Sequence, residues 1–223
     1  MATPKSPPKR GHAAVQARKR RMMIWIIGGV IGVAAIVGIS VLTVQGAFGP
    51  DVPVDEVAGE LSIEGEPIGP PPEDPSADPA IGGPSPVITS QDLDGQSVTI
   101  GEAGTPQLVM FMASWCPICD QELPEVVSWL ESGGLPDDVE LTSVSTGLDA
   151  RRPNWPPQDW YDRHGYDGRV LVDDEDGTAS GTFGMPATPY WVAIDADGNI
   201  VQRFSGAIGQ DQMTALAQQV SEL

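Results

Sequence analysis

The chain has two cysteines, and both lie in the segment Trp115-Cys116-Pro117-Ile118-Cys119. A structural disulfide normally joins distant segments, and a loop of two residues would hardly restrain the unfolded chain. A zinc site needs four ligands, and the sequence offers only two histidines besides its carboxylates. Thiol–disulfide exchange is therefore the favoured chemistry of this pair, while half of a zinc site and a chemically idle pair are the alternatives.

The predicted position of the two cysteines gives them different reactivity. Cys116 follows a predicted buried strand and stands at the N-cap of a predicted helix, with Pro117 at the first helical position, where no amide hydrogen is missed. The unpaired amides and the dipole of a helix N-terminus favour a thiolate, which is the attacking species. Cys119 lies one turn further along, where it could attack the mixed disulfide and release the product.

Alternating strands and helices are predicted around this pair. The run 107–112 is almost entirely apolar, as a strand buried on both faces requires. The other predicted strands cover residues 87–89, 97–100, 139–145, 169–172, 190–195 and 199–204. Helices are predicted from 117 to the Gly133-Gly134 stop and at 157–164, 175–183 and 210–223. This order predicts an α/β sandwich in which helices flank a mixed sheet.

The segment before and within the second predicted helix is rich in aromatic residues. Trp155, Trp160 and Tyr161 could form an exposed substrate ledge, although packing into the core is the favoured interpretation. His164 precedes Gly165 near the helix end, where capping of the C-terminus is the ordinary explanation.

Two blocks of the sequence resemble the thioredoxin superfamily, and within it the membrane-anchored TlpA/ResA/DsbE type of thiol–disulfide oxidoreductase. The first block, residues 113–124, reads Ala-Ser-Trp-Cys-Pro-Ile-Cys-Asp-Gln-Glu-Leu-Pro and is similar to the active-site segment. The second block, residues 183–201, contains Met-Pro-Ala-Thr-Pro at 185–189 and is similar to the segment that carries a cis-proline before the last hairpin. The resemblance covers about residues 87–223 and implies a thioredoxin-like fold.

The resemblance also implies roles for three residues of the first block. Cys116 is implied as the nucleophile and Cys119 as the resolving thiol, and together they would form a redox-active disulfide. Glu122 matches a buried glutamate that tunes or shuttles protons in ResA-like proteins. A solvated helix carboxylate is the alternative interpretation of Glu122.

Substrate binding is implied for Trp115, Thr188 and Pro189. Pro189 would be a cis-proline that faces the disulfide, and the Thr188 backbone would pair with the substrate chain like an added strand. The expected site contains neither a cofactor nor a metal.

Charge divides the chain into a basic start and an acidic remainder. Seven of the twelve basic residues precede residue 22, and 31 acidic residues against five arginines follow. So acidic a domain repels the phosphates of DNA and RNA, and this excludes nucleic acid as a partner. A solvated surface is the ordinary explanation of the acidity, and steering of a basic substrate is the alternative.

Residues 22–44 carry no charge and are predicted to cross a membrane. A helix of this length spans roughly 34 Å, against a hydrocarbon thickness of about 30 Å. The basic tail, residues 1–21, keeps its side in the cytoplasm, so we expect an uncleaved signal anchor with the remainder outside. A cleaved signal peptide is the alternative, although its apolar region would be shorter.

Residues 45–86 are predicted to be a disordered linker that leads to the domain at 87–223. They hold ten prolines, nine acidic residues and no basic residue, so backbone donors are few and like charges repel one another. A short apolar pattern over residues 61–68 is the part of the linker that could dock on the domain.

The expected function is that of an extracytoplasmic thiol–disulfide oxidoreductase anchored in the cell membrane. A reductase of cysteine-containing exported proteins, for example in cytochrome c maturation, is favoured, with a membrane thiol transporter as its electron source. An oxidase or isomerase of secreted proteins, recharged by a quinone-linked membrane oxidoreductase, is the alternative. A redox-inert module that holds a partner near the membrane is the alternative from another class. The direction depends on the reduction potential, which the Cys-Pro-Ile-Cys sequence does not determine.

Overall fold

The computed structural model describes residues 52–223 of the chain. The basic tail at 1–21 and the predicted membrane span at 22–44 lie outside these residues. Between residues 52 and 223, none of the helices has the length and apolar character that crossing a bilayer needs.

Eight strands and four helices make up the described residues. The strands are β1 (Ser62–Glu64), β2 (Val87–Gln91), β3 (Ser97–Ile100), β4 (Gln107–Met112), β5 (Glu140–Ser145), β6 (Arg169–Val172), β7 (Tyr190–Ile194) and β8 (Ile200–Ser205). The helices are α1 (Pro117–Glu131), α2 (Pro157–His164), α3 (Thr178–Thr182) and α4 (Gln210–Ser221). Short 3₁₀ turns at Val54–Glu56 and Pro75–Ala77 lie before β2.

The central sheet has five strands in the order β6-β5-β4-β7-β8. Strands β4, β5 and β6 are parallel, whereas β7 runs antiparallel to β4 and β8 antiparallel to β7. The mixed sheet predicted from the sequence is therefore confirmed. A second, antiparallel sheet of order β1-β2-β3 contains two of the predicted strands, β2 and β3, which pair as a hairpin.

Strand β4 is buried on both faces, which explains its continuous apolar sequence. Leu108, Met110 and Met112 pack on one face with residues of α1, α2 and α4. Val109 and Phe111 pack on the other face with residues of β2, β3 and α3. The active-site segment therefore leaves the sheet from its best-packed strand.

Helix α3 is shorter than the sequence pattern over 175–183 predicts. Gly177 precedes it with a left-handed φ of 70°, so the helix cannot extend towards residue 175. Asp173, which is fully buried, accepts hydrogen bonds from the amides of Ala179 and Ser180 at 2.7 and 3.2 Å. These bonds satisfy amides that the short helix leaves without internal partners.

Residues 52–86, here called the N-terminal strap, are folded on the domain, so the prediction of a disordered linker is wrong for them. Strand β1 of the strap pairs with β2. The Gly59 amide donates to the Asp173 carbonyl at 3.0 Å, and the Ile68 amide donates to the Thr182 carbonyl at 2.9 Å. Leu61 and Ile68 pack against the apolar cluster under the sheet, as the docking alternative for residues 61–68 supposes.

A buried ion pair gives the physical reason why an acidic, proline-rich segment can dock. The carboxylate of Asp78 in the strap receives two hydrogen bonds of 2.7 Å from the guanidinium of Arg203 in β8. The same guanidinium donates to the Gly69 carbonyl at 2.6 Å. The strap therefore forms hydrogen bonds with the domain, and its Asp78 carboxylate is neutralised by Arg203, one of the few basic residues there.

Candidate functional site

Cys116 and Cys119 lie at the N-terminus of α1, as the sequence predicts. Cys116 is the N-cap residue and Pro117 the first helical residue. The Cys116 Sγ atom accepts a hydrogen bond from the Cys119 amide at 3.4 Å. Cys116 is 6% exposed and Cys119 is fully buried, so Cys116 is the thiol that lies nearer to solvent.

Burial and hydrogen bonding affect the two thiols differently. Burial alone would raise the pKa of Cys116, but hydrogen bonds with the Cys119 amide and with the Thr188 side chain outweigh it, and the pKa lies below the ordinary thiol value. Burial holds the pKa of Cys119 well above its usual range. The thiolate therefore forms first on Cys116, the residue that the resemblance implies as the nucleophile.

The loop before β7 faces Cys116. The Cys116 thiol donates to the Thr188 carbonyl at 3.6 Å, and the Thr188–Pro189 peptide bond is cis. Pro189 is buried, whereas residues 186 and 187 are exposed. An extended substrate chain could therefore lie beside this loop and pair with its backbone, and this role stays a prediction.

Glu122 lies one helical turn after Cys119 on the same face of α1 and is 3% exposed. Its Oε1 atom accepts hydrogen bonds from the Ile208 amide at 2.8 Å and the Trp191 indole at 3.1 Å. Its Oε2 atom has no hydrogen-bond partner among residues 52–223. Burial raises the pKa of Glu122 to about 7, although both hydrogen bonds favour the carboxylate. The interpretation of Glu122 as a solvated carboxylate is wrong, and its role in proton transfer stays a prediction.

The β5–α2 loop, residues 147–156, contacts the two residues that precede the nucleophile. The Trp115 indole donates to the Gly147 carbonyl at 2.6 Å. The Asn154 side-chain amide donates to the Ser114 carbonyl at 2.8 Å. Because both contacts act on the turn that leads into α1, the loop helps to orient the Cys116 thiol.

Asn154 is a candidate site residue that the sequence analysis missed. It is the single non-glycine residue within 52–223 that has a positive φ, 63°, a conformation that asparagine tolerates better than most residues. Its Oδ1 atom accepts a hydrogen bond from Arg163 at 2.9 Å. No local pattern marks the contact of Asn154 with Ser114, because 40 residues separate the two along the chain.

The aromatic residues near this loop contribute to the core. Trp160 and Tyr161 are almost completely buried, which confirms core packing and shows that the exposed-ledge interpretation is wrong for them. Trp155 is half-buried, and its indole donates to the Val52 carbonyl of the strap at 2.7 Å.

His164 does not cap the end of α2, contrary to the expectation from its position. Its Nε2 atom pairs with Asp120 Oδ1 at 2.9 Å, and the Trp160 indole donates to the same oxygen at 2.8 Å. These two bonds lower the pKa of Asp120. Gly165, with a left-handed φ of 71°, ends the helix instead.

No group of three or more His, Cys, Asp and Glu side chains is arranged to hold a metal ion in the part of the chain that the structure describes. Nothing in that part therefore supplies the further ligands that a zinc site at Cys116 and Cys119 would need.

The fold and the site together define a class of protein. A cysteine pair at the N-terminus of a helix, beside a cis-proline that precedes the antiparallel part of a mixed sheet, is the arrangement of a thioredoxin-like protein. The chain belongs to the Redoxin family, whose model matches residues 80–219.

Proteins similar in sequence include three whose names bear on function. The methylamine utilization protein MauD of Methylobacillus flagellatus is 35% identical over 126 residues, which are 55% of this chain and 56% of MauD. The thiol:disulfide interchange protein DsbE of Pseudomonas aeruginosa is 28% identical over 66% of this chain and 82% of its own length. The thiol-disulfide oxidoreductase ResA of Bacillus thuringiensis is 23% identical over 63% of this chain and 79% of its own length. The chain spans little more than half the length of the MauD proteins that it matches.

Solved structures agree with the fold. StoA from Bacillus subtilis superposes with a TM-score of 0.51 at 22% identity, over 62% of this chain and 98% of StoA. The thioredoxin domain of a thiol-disulfide oxidoreductase from Bacteroides vulgatus superposes with a TM-score of 0.52 at 23% identity, over 63% of this chain and 98% of that domain. The predicted thioredoxin-like fold is therefore confirmed.

Proposed function

We propose that this protein is a membrane-anchored thiol–disulfide oxidoreductase that reduces disulfides in exported proteins. The observation that carries the proposal is a pair of thiols of unequal acidity at the N-terminus of α1, with the more acidic one beside the Thr188–Pro189 loop. Similarity to proteins named DsbE and ResA supports the chemistry. The anchor and the extracytoplasmic location are supported by the uncharged run at 22–44 and the basic tail before it.

The exchange proceeds in two substitutions at sulfur. The Cys116 thiolate attacks one sulfur of a substrate disulfide, which forms a mixed disulfide and expels the other substrate sulfur as a thiolate. Cys119 then loses its proton and attacks the Cys116 Sγ atom, which forms the Cys116–Cys119 disulfide and expels the second substrate sulfur. Two electrons pass to the substrate, and its two thiolates take up protons. A dithiol donor, such as a membrane thiol transporter, returns two electrons to the cysteine pair.

Glu122 is suited to accept the proton of Cys119. A buried thiol with a raised pKa cannot attack until it loses its proton, and Glu122 lies one turn away with a pKa raised to about 7. A carboxyl group that titrates near neutral pH can both take and return a proton there. The unpartnered Oε2 atom would be the accepting atom.

The modest stabilisation of the Cys116 thiolate favours the reducing direction. A strongly oxidising pair has a strongly stabilised reduced form. Here hydrogen bonds alone lower the pKa of Cys116, and no cation contributes. The reduced form should therefore lose electrons readily.

The reduction potential tests the direction. Equilibration of the full-length protein with glutathione buffers should give a value nearer to about −270 mV than to about −120 mV. A potential close to −120 mV would instead assign the protein to the oxidases of secreted proteins.

Trapping of the mixed disulfide tests the two cysteine roles and reveals the substrates. In cells, Cys119→Ala should accumulate covalent complexes through Cys116, because nothing remains to resolve the bond. Cys116→Ala should trap almost nothing, since its remaining thiol is buried and has a raised pKa. Equal trapping by both variants would refute the assignment of roles.

The identity of the trapped proteins separates the remaining alternatives. Exported apocytochromes c among the partners would support a role in cytochrome c maturation, and a broad set of secreted cysteine proteins would support an oxidase or isomerase. A redox-inert binding module would form no mixed disulfide with either variant.

A further inference from the structure

The five arginines of the domain are unevenly placed. Arg203 is buried against Asp78, and Arg169 pairs with Glu140 at the start of the parallel strands β5 and β6. That end of the sheet is opposite to the cysteines, which follow the end of β4. Arg151 and Arg152 lie in the β5–α2 loop, and Arg163 lies in the last turn of α2. The loop beside the active site is thus a segment of excess positive charge in a strongly acidic domain.

Arg152 lies directly on the tryptophan that precedes the nucleophile. Its Cζ atom is 4.7 Å from the centroid of the Trp115 ring, a distance at which the ring face attracts a cation. The side chain of Arg152 is nevertheless 55% exposed. A guanidinium that stacks on a ring keeps its N–H donors at the edge of its plane, where they can bind a carboxylate.

The hydrogen-bonding capacity of Arg152 is not used by the residues that the structure describes. Its Nε atom lies 3.6 Å from Asp149 Oδ2, beyond hydrogen-bond distance. The Asp149 carboxylate is bound by Arg151 instead, through two hydrogen bonds of 2.9 and 3.1 Å. Arg151 and Arg152 therefore share one carboxylate as ion-pair partner, and the loop keeps one net positive charge.

A cavity of about 390 Å³ opens between this loop and the cis-proline loop. Trp115 and Arg152 line one side of it, and Met185 lines it from the cis-proline loop. Three acidic residues, Asp149, Glu175 and Asp176, also line it. A side chain that neighbours the reacting cysteine of a bound substrate could enter the cavity, and a carboxylate there would meet attraction from Arg152 and repulsion from those three residues.

We propose that Arg152 is a specificity-determining residue that favours polypeptide substrates with Asp or Glu next to the reacting cysteine. The inference rests on the proposed thiol–disulfide exchange and names the substrate class of that site. The fork of a guanidinium binds a carboxylate with two charge-assisted hydrogen bonds. The acidic remainder of the domain repels the same substrate, so the approach over the β5–α2 loop is the favoured orientation.

A pair of matched disulfide peptides tests this inference. The two peptides are identical except for Glu or Gln next to the reacting cysteine, and kcat/KM for their reduction is measured with the reduced full-length protein at low salt. We expect the Glu peptide to react about fivefold faster, since a partly exposed charge pair contributes about 1 kcal/mol. The preference should shrink at 0.5 M salt because of screening.

Three variants assign the preference to Arg152. The ratio of the two kcat/KM values should fall to about one in Arg152→Gln and should invert in Arg152→Glu. Arg169→Gln removes the same charge from the far end of the sheet, so it should leave the ratio unchanged.

The outcomes separate this inference from the proposed function. Equal rates for both peptides in the wild-type protein, or a preference that persists in Arg152→Gln, would overturn the role of Arg152 while leaving exchange intact. A wild-type preference for the Gln peptide would mean that the carboxylates of Asp149, Glu175 and Asp176 dominate the cavity, and would also overturn the role of Arg152. Failure to reduce either peptide would count against the proposed exchange activity itself.

Discussion

At the scale of single residues, burial decides which groups of the site can ionise. Cys116 sits at the helix N-cap and has a pKa below the ordinary value, whereas burial raises the pKa values of Cys119 and Glu122. The site therefore combines a thiol that ionises easily, Cys116, with a second thiol, Cys119, that must lose its proton before the resolving step. Glu122 is the buried group with a pKa suited to that step at neutral pH.

Replacement of this carboxylate tests its role. In Glu122→Gln the resolving step should lose its pH dependence around pH 7, because an amide cannot accept the Cys119 proton. The measurement is the rate of mixed-disulfide resolution from pH 5 to 9. Glu131→Gln removes an exposed carboxylate at the end of the same helix and should keep the wild-type profile. A wild-type profile in Glu122→Gln would exclude proton transfer by Glu122.

The raised pKa of Glu122 also predicts how stability depends on pH. The folded-state pKa of about 7 exceeds the ordinary glutamate pKa of 4.5, so the unfolded chain releases this proton first as the pH rises. Glu122 should therefore lower the free energy of unfolding progressively between about pH 4.5 and 7, by an amount of the order of 3 kcal/mol. Urea titrations should show that Glu122→Gln lacks this part of the decline.

At the scale of elements, the N-terminal strap supports the loop that carries the cis-proline. The Ile68 amide bonds to the Thr182 carbonyl, and the backbone of residues 68 and 69 lies where a Cβ atom on Gly184 would be. Arg203 joins the strap to the Phe183 carbonyl at 3.4 Å. The start of the loop that carries the cis-proline is therefore packed between the strap and β8, and the strap is part of the folded domain.

Removal of the strap's buried carboxylate should unfold the protein more easily. Asp78→Ala leaves the Arg203 guanidinium buried without its charge partner, so the free energy of unfolding should fall by about 3–5 kcal/mol. Urea denaturation of the full chain measures the change. Glu66→Ala removes an exposed carboxylate of the same strap and should change stability by less than about 0.5 kcal/mol. A small effect of Asp78→Ala would mean that the strap contributes little to the fold.

At the scale of the whole molecule, the distribution of charge bears on location and on substrate. The basic residues of the chain lie before residue 22 or in the five arginines of the domain, and 31 acidic residues make up the remaining charge. The positive charge of the tail is the reason why we propose that the N-terminus lies in the cytoplasm. Within the domain, Arg151 and Arg152 lie in the loop beside Trp115, and we propose that an acidic substrate approaches over this loop.

Protease accessibility tests the proposed orientation. In the proposed orientation the residues after 44 lie outside, so protease added to intact spheroplasts should degrade the domain. A cytoplasmic protein in the same sample should stay intact and so control for lysis. Complete protection of the domain until the cells are lysed would show that the orientation is reversed.

The sequence by itself determined the features that depend on local patterns. The cysteine pair at the start of a helix, the buried strand before it and the order of strands and helices could all be predicted, because each depends on neighbouring residue types. The resemblance to a known family added two expectations, a cis peptide bond before Pro189 and the burial of Glu122, and the structure confirms both.

Contacts between distant segments were decided by the tertiary structure alone. Composition predicted a disordered strap because it carries no information about the Asp78–Arg203 ion pair. That pair stabilises the strap only after folding brings together two residues that are 125 positions apart. The contact between Asn154 and Ser114 and the stacking of Arg152 on Trp115 depend in the same way on how the β5–α2 loop packs. Charge and composition indicate whether a segment would be ordered in isolation. They do not show the stabilising contacts that form only when distant segments pack together.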